Sequence, residues 1–265
     1  MRKIFVGMLS MLVLLSLSVP SISQKKSSEK TMPWTTKSKA AKDLASSGAD
    51  HLMNAEFPQA YTDLLAAVKL DPNFTVALTL LSNQTTGETQ KMYAQRALKT
   101  AADKTAGEKL FASLADAKMT QDSRREVWDK LHTMFPDGAM IGNFYVQTRA
   151  TPEERFAAAQ DYIKKFPTQP AMYNTIAYYY MQDKKDNDMA KQNFEKYISL
   201  YPKGSNPYDS MGEFYLNTGD TANARKYYNL SLEKYPFSTS SVNAIQKMAD
   251  DKKKAEDDKK KTEIK

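Results

Sequence analysis

Residues 206–237 read NPYDSMGEFYLNTGDTANARKYYNLSLEKYPF. Within this stretch Tyr208, Met211 and Tyr215 are spaced i, i+3 and i+7, so they share one face of a helix. Gly212 lies beside them and carries no side chain, which allows a second helix to approach closely. The first half of the stretch therefore predicts a helix that packs tightly against a neighbour.

The second half supplies this neighbour. After Gly219, a residue that favours turns, Ala224, Tyr228 and Ser231 recur at i, i+4 and i+7. Small residues at the crossing and one ring between the helices suit close helix packing. Pro236 then ends the segment, because proline cannot continue a helix interior. Residues 206–237 thus predict one helix pair.

The same spacing recurs along the chain, which predicts an all-α fold built from repeated helix pairs. Prolines at positions 72, 136, 167, 202 and 236 end successive pairs, and the long first gap holds a pair without a closing proline. In the fourth pair, Thr151-Pro152-Glu153-Glu154 predicts a capping box at a helix start. We count six pairs, followed by a thirteenth helix from about Ser238 that caps the stack.

The eight positions filled in residues 206–237 are those of the tetratricopeptide repeat, and the chain resembles this family. The resemblance implies a right-handed α-solenoid of about six pairs with a concave face formed by the first helix of each pair. Three further stretches, TTKSKAAKDL (35–44), AVKLDPNFTVAL (67–78) and YPKGSNPYDS (201–210), are similar to exported tetratricopeptide proteins of Bacteroidetes-type bacteria. That likeness implies a location in the cell envelope and a binding role.

The concave face of the last two repeats carries the candidate partner-binding residues. They are Asn174, Tyr178, Gln182, Asp209, Glu213 and Asn217. Because Asp209 and Glu213 are spaced i, i+4, we expect them to face a basic or hydroxyl-rich partner segment, with Tyr178 and Asn174 adding stacking and hydrogen bonds. The alternative interpretation is a solvated helix face. Some proteins of this family clamp the terminal carboxylate of a peptide with Lys, Arg and Asn side chains. Because Asp209 and Glu213 are acidic, we do not expect such a clamp here.

Composition argues against catalysis. The chain has no cysteine and two histidines, and it contains no phosphate-binding glycine loop, nucleophile elbow or zinc motif. We therefore expect no enzyme activity, no cofactor and no metal site. His51 occupies a position that usually holds a ring, which predicts a packed structural histidine.

The two ends differ from the array. Residues 1–23 have the pattern of a secretory signal peptide, with cleavage expected between Ser23 and Gln24, and residues 24–37 read as a basic flexible leader. The array spans 38–249, and a charged tail spans 250–265. Of the net charge of +7, most lies in the signal and the leader, so the array is not a nucleic-acid-binding surface. After signal cleavage no segment is long enough to cross a membrane.

These features favour a non-catalytic periplasmic adaptor or scaffold that binds a protein or peptide in its concave groove, either free in the periplasm or peripheral to the cell envelope. Two alternatives remain open at the level of sequence. The groove tyrosines could serve a ligand- or glycan-binding component of an envelope uptake system, or the protein could be a regulatory subunit of an envelope enzyme.

Overall fold

The protein folds into a solenoid of α-helices. A computed structural model describes residues 30–263, and this part of the chain contains thirteen α-helices and no strand. The helices are α1 (Lys39–Met53), α2 (Phe57–Leu70), α3 (Thr75–Ser82), α4 (Gly87–Ala101), α5 (Ala106–Ala112), α6 (Gln121–Met134), α7 (Ala139–Gln147), α8 (Pro152–Lys165), α9 (Ala171–Tyr179), α10 (Asn187–Leu200), α11 (Asn206–Asn217), α12 (Thr221–Lys234) and α13 (Thr239–Glu263). They form the six predicted pairs and the thirteenth helix, which confirms the all-α solenoid.

Local signals set the helix ends. Thr151 accepts a hydrogen bond from the backbone of Glu154, whose carboxylate reaches back, so the predicted capping box is present. Gly219 has φ +83°, a left-handed conformation that glycine adopts without strain, and α12 begins two residues later. These ends place the two helices of each pair side by side.

Packing within a pair depends on the small residues that the sequence pattern marks. A Cβ added to Gly212 would lie 2.8 Å from Cδ1 of Tyr228, so the glycine is required for the close approach of α11 and α12. The equivalent Gly48 meets Leu64 at 2.8 Å. The prediction that glycine permits this contact is confirmed in both repeats.

The inner helices of the first four repeats pack on one another. Helix α1 contacts both α3 and α7, and α3 is buried along its whole length. In the first repeat, Ala45 and Ala49 occupy the positions equivalent to Asp209 and Glu213 and are at most 2% exposed. The concave groove expected from the family is therefore filled here, because small side chains allow these inner helices to pack closely against one another.

The solenoid also closes on itself at a seam between the first repeat and the junction of the fifth and sixth repeats. The Glu56 carboxylate accepts hydrogen bonds from Ser205 N at 2.6 Å and from the Tyr201 hydroxyl at 2.7 Å. Beside it, the Tyr197 hydroxyl donates to the carbonyl oxygen of Asn54 at 3.3 Å. These contacts join residues more than 140 positions apart, so the chain forms a closed turn.

The segment before α1 is packed against the fold. Met32 is 6% exposed, Trp34 packs edge-on against Phe74, and Thr35 donates from its backbone and hydroxyl to the buried Glu108. The flexible leader predicted for residues 24–37 is therefore wrong for residues 30–37, because apolar and hydroxyl side chains there find buried partners. Its remaining residues, like the predicted signal peptide, lie outside the described residues.

Helix α13 covers the end of the stack, as predicted. Ser241 and Met248 are buried on its inner face, whereas Val242 is 45% exposed because Ser241 takes the inner position. From residue 250 to Glu263 the charged tail continues the helix, and its described side chains are exposed. No helix among the described residues combines the length and hydropathy needed to span a membrane.

Candidate functional site

Three of the six candidate residues line one cleft. Asn174, Tyr178 and Gln182 lie in an open cavity of about 410 Å³ between the fourth and fifth repeats. The complete lining is Gln147, Pro152, Arg155, Phe156, Asn174, Thr175, Tyr178, Tyr179, Gln182 and Asp183. We call this cavity the repeat 4–5 cleft.

Two side chains of the cleft contain buried polar atoms without a partner. Neither Oδ1 of Asn174 nor Nε of Arg155 has a hydrogen bond within the described part of the chain. A buried polar group left unpaired costs about 1–3 kcal/mol, so such groups are uncommon unless a ligand or water completes them. Nearby, Nε2 of Gln147 donates to Oγ1 of Thr175 at 3.0 Å. The lining of the cleft thus includes an amide with an unpaired acceptor atom and a guanidinium with an unpaired donor atom.

A π-helical turn forms one side of the cleft. Residues Tyr180–Lys184 continue α9 with this wider turn, and Lys185 ends it in a left-handed conformation with φ +56°. Single π turns occur frequently at functional sites, and this one places Gln182 and Asp183 on the cleft wall.

Tyr178 joins the cleft to the next repeat. Its hydroxyl donates to Oε2 of Glu213 at 2.8 Å, and its ring packs edge-on against Phe194 with centroids 5.2 Å apart. Burial, together with the negative charge of Glu213, raises the pKa of Tyr178, so its hydroxyl remains a proton donor. Tyr178 therefore holds Glu213 inside the protein.

The other acid of the predicted pair points elsewhere. Asp209 accepts hydrogen bonds from the hydroxyls of Ser240, at 2.7 Å, and Ser241 at the start of α13. Asp209 and Glu213 therefore do not form one acidic surface, although they are spaced i, i+4. The hydroxyl-rich segment expected from a partner at Asp209 is supplied by the chain itself.

The last candidate residue, Asn217, is exposed near the end of α11. Its Nδ2 lies 3.8 Å from the sulfur of Met181. Asn217 does not line the repeat 4–5 cleft.

Sequence reasoning missed the part of the cleft that comes from the fourth repeat. Arg155 follows the capping box of α8, and Gln147 ends α7, so neither shares a helix with Asn174. The family pattern marks positions within one repeat, whereas this cleft lies between two. Only the packing of α9 on α8 brings these side chains together.

The described residues include potential metal ligands, among them His51. No group of three or more His, Cys, Asp or Glu side chains in residues 30–263 could hold a metal ion. Nδ1 of His51 lies 3.0 Å from Oδ2 of Asp63, and its ring is only partly exposed. His51 is thus a packed, hydrogen-bonded side chain, as predicted.

Several solved structures share this fold. The structure of the human IFIT1 dimer with m7Gppp-AAAA matches with a TM-score of 0.55 and 16% identity, covering 80% of this chain and 56% of that chain. The APC/C hetero-tetramer Cut9–Hcn1 matches with a TM-score of 0.50 and 15% identity, covering 78% and 42%. PilW, described as a widely conserved type IV pilus biogenesis factor, gives 0.47 and 14%, covering 78% and 99%.

Identities this low show a likeness of fold alone. No curated protein sequence matches the chain. Models of the tetratricopeptide repeat, however, match residues 170–203 and 210–238, which correspond to the fifth repeat and most of the sixth. These two matches, together with six helix pairs in a solenoid, show that the chain contains tetratricopeptide repeats.

Proposed function

We propose that the protein is a non-catalytic adaptor that binds a protein partner, and that an extended segment of this partner lies in the repeat 4–5 cleft. The observation that carries the proposal is the pair of buried, unpartnered polar atoms in that cleft, Asn174 Oδ1 and Arg155 Nε. A ligand that completed both would remove their desolvation cost on binding.

A peptide backbone has the complementary groups. Its N–H groups can donate to the amide oxygen of Asn174, and its carbonyl oxygens or a side-chain carboxylate can accept from Arg155. The amides of Gln147 and Gln182 add donors and acceptors along the same cleft. An open cavity with alternating donors and acceptors suits a polypeptide better than a small apolar ligand.

The aromatic side chains give less support to glycan capture. Phe156 and Tyr179 stack on each other with centroids 4.2 Å apart, and Tyr178 packs against Phe194. These rings therefore use their faces for internal packing, whereas a sugar platform needs an exposed ring face. This observation favours a peptide over a glycan in the cleft.

We further propose that the protein is exported and works in the periplasm. The signal-like residues 1–23 and the likeness to exported proteins of Bacteroidetes-type bacteria support this location. N-terminal sequencing of the protein recovered from a periplasmic fraction should begin at Gln24. Recovery from the cytoplasm with Met1 retained would contradict the proposal.

Partner recovery tests the cleft. We would compare the wild type with Arg155→Gln/Asn174→Ala by crosslinking in envelope extract, affinity recovery and mass spectrometry. A matched control is Lys164→Gln/Gln160→Ala, which makes the same chemical changes at exposed positions of α8 outside the cleft. We expect a partner to be lost with the cleft variant and kept with the control.

The other possible outcomes distinguish between the alternative functions. The same partner recovered with both variants would refute the cleft as the binding site. If no protein is enriched, the adaptor function is wrong, and a small ligand or glycan becomes the better hypothesis. Co-purification of an enzyme activity that depends on the cleft would identify the partner as an enzyme.

A further inference from the structure

A second cavity lies at the seam, away from the repeat 4–5 cleft. It has a volume of about 370 Å³ and is formed by the turn before α2, the start of α11 and the connection from α12 to α13. The two cavities share no lining residue. We call it the seam cavity.

Exposed aromatic rings border the seam cavity. Phe57 from the first repeat is 55% exposed, and Phe237 from the end of the sixth is 76% exposed. Tyr235 also lines the cavity, with its ring centroid 5.8 Å from that of Phe237. Two phenylalanines this exposed at one cavity mark an interaction surface, because apolar surface of this size is normally withdrawn from water.

The charged groups of the seam cavity are carboxylates, those of Glu56 and Asp209. Oε1 of Gln59 is buried without a partner within the described residues. Both serine hydroxyls that reach Asp209 donate to its Oδ1, so the lone pairs of Oδ2 remain for a ligand. Glu56 contributes a second carboxylate to the wall, and none of the lining residues is lysine, arginine or histidine. The cavity is therefore electronegative in a chain with a net charge of +7.

We propose that the seam cavity binds the guanidinium group of an arginine from a partner polypeptide. A planar, weakly hydrated guanidinium stacks on aromatic faces, which Phe57 and Phe237 expose here. Its N–H groups supply the donors that Asp209 Oδ2 and Gln59 Oε1 require. An ammonium group has the charge but lacks the flat surface for stacking.

The test uses two probes and the purified full-length protein. N-acetyl-arginine amide carries the guanidinium, and N-acetyl-citrulline amide has nearly the same shape without the charge. We expect the arginine probe to bind with a Kd on the order of 1 mM by saturation-transfer NMR, given its small size. The citrulline probe should bind about tenfold more weakly, since it loses the charge-assisted contact.

Two variants test whether the arginine probe binds in the seam cavity. Phe237→Ser and Asp209→Asn should each weaken the arginine probe by about fivefold, and both positions are accessible enough for the fold to tolerate the change. Tyr61→Ser serves as the matched control, because Tyr61 is a partly exposed ring on α2 outside the cavity. Circular dichroism checks that each variant is folded.

Three results would overturn the proposal. These are equal binding of the two probes, unchanged affinity in folded Phe237→Ser and Asp209→Asn proteins, or no binding of the arginine probe at about 20 mM, well above the expected Kd. Failure here would leave the proposal for the repeat 4–5 cleft untouched, because none of the residues changed lines that cleft.

Discussion

The seam between the first repeat and the junction of the fifth and sixth repeats depends on one buried carboxylate, and its removal should open the closed turn. Glu56 is 5% exposed, and its Oε1 accepts from Ser205 N at 2.6 Å, Ser205 Oγ at 3.1 Å and Asn206 N at 3.4 Å. Its Oε2 accepts from the Tyr201 hydroxyl at 2.7 Å. Four donors thus converge on one side chain, and the backbone donors come from the N-terminus of α11, where a negative charge is favoured.

The expected cost of Glu56→Ala follows from these contacts. Ser205 Oγ can rotate toward water, but Ser205 N and the Tyr201 hydroxyl would lose strong charge-assisted hydrogen bonds at the seam. At about 1.5–3 kcal/mol each, less the desolvation of the carboxylate that the variant no longer requires, we expect a loss of about 3–4 kcal/mol in the free energy of unfolding. Glu56→Gln keeps the shape and one acceptor, so its cost should be about 2 kcal/mol.

Two measurements check this prediction. Urea unfolding followed by circular dichroism reports the loss of stability, and small-angle X-ray scattering reports whether the radius of gyration increases as the seam opens. Glu153→Ala is the control, because Glu153 is an exposed glutamate in the first turn of α8, and its removal should change stability by less than about 0.5 kcal/mol. A loss below about 1 kcal/mol for Glu56→Ala, with an unchanged radius of gyration, would refute the argument that this carboxylate holds the seam closed.

Three further changes address other parts of the molecule. Gly212→Ala should destabilise the protein by about 1–3 kcal/mol in urea unfolding, because the added methyl group meets the Tyr228 ring at 2.8 Å; a neutral result would contradict the required close approach. Thr35→Val should lower the free energy of unfolding by about 1 kcal/mol, since its hydroxyl donates to Glu108 at 2.8 Å, and an unchanged melting temperature would show that this hydroxyl adds no stability. Burial and two nearby cations lower the pKa of His132 from its ordinary value of 6.5. The unfolded chain therefore takes up the proton first, so stability should fall as pH decreases below about 6.5, and His132→Gln should reduce that slope; equal slopes would disprove it.

The repeats could be predicted from sequence because their signals are local. The spacing of Tyr208, Gly212 and Tyr228 defines one helix pair within 21 residues, and the structure places each of them as predicted. The same pattern located α3 and α4 in the long gap between prolines 72 and 136. Each of these inferences needs only helical periodicity and the size of a side chain.

The candidate site could be predicted only in part, because it lies between repeats. Asn174, Tyr178 and Gln182 share a face of one helix and its extension, so periodicity grouped them correctly. Arg155 belongs to the preceding repeat, so the pattern within the fifth repeat does not include it. Asp209 does not line the cleft, because its carboxylate accepts hydrogen bonds from the serines of α13. Which side chains meet across two repeats depends on the rotation from one repeat to the next, and a spacing rule within one repeat carries no such information.

Three stretches, residues 35–44, 67–78 and 201–210, make contacts that the helix pairs do not require. In residues 35–44 Thr35 bonds Glu108 and Thr36 bonds Asp71, which itself lies in residues 67–78. In residues 201–210 the backbone of Ser205 bonds Glu56.

These stretches join segments between 35 and 149 residues apart, whereas the helix pairs need only contacts along one repeat. A generic repeat pattern would be satisfied without any of these bonds. Their residues are therefore accounted for by these long-range contacts and not by the repeat spacing. The seam, the seam cavity and the repeat 4–5 cleft are properties of this particular array, and its binding sites should be sought in the two cavities before the filled concave face of the first four repeats.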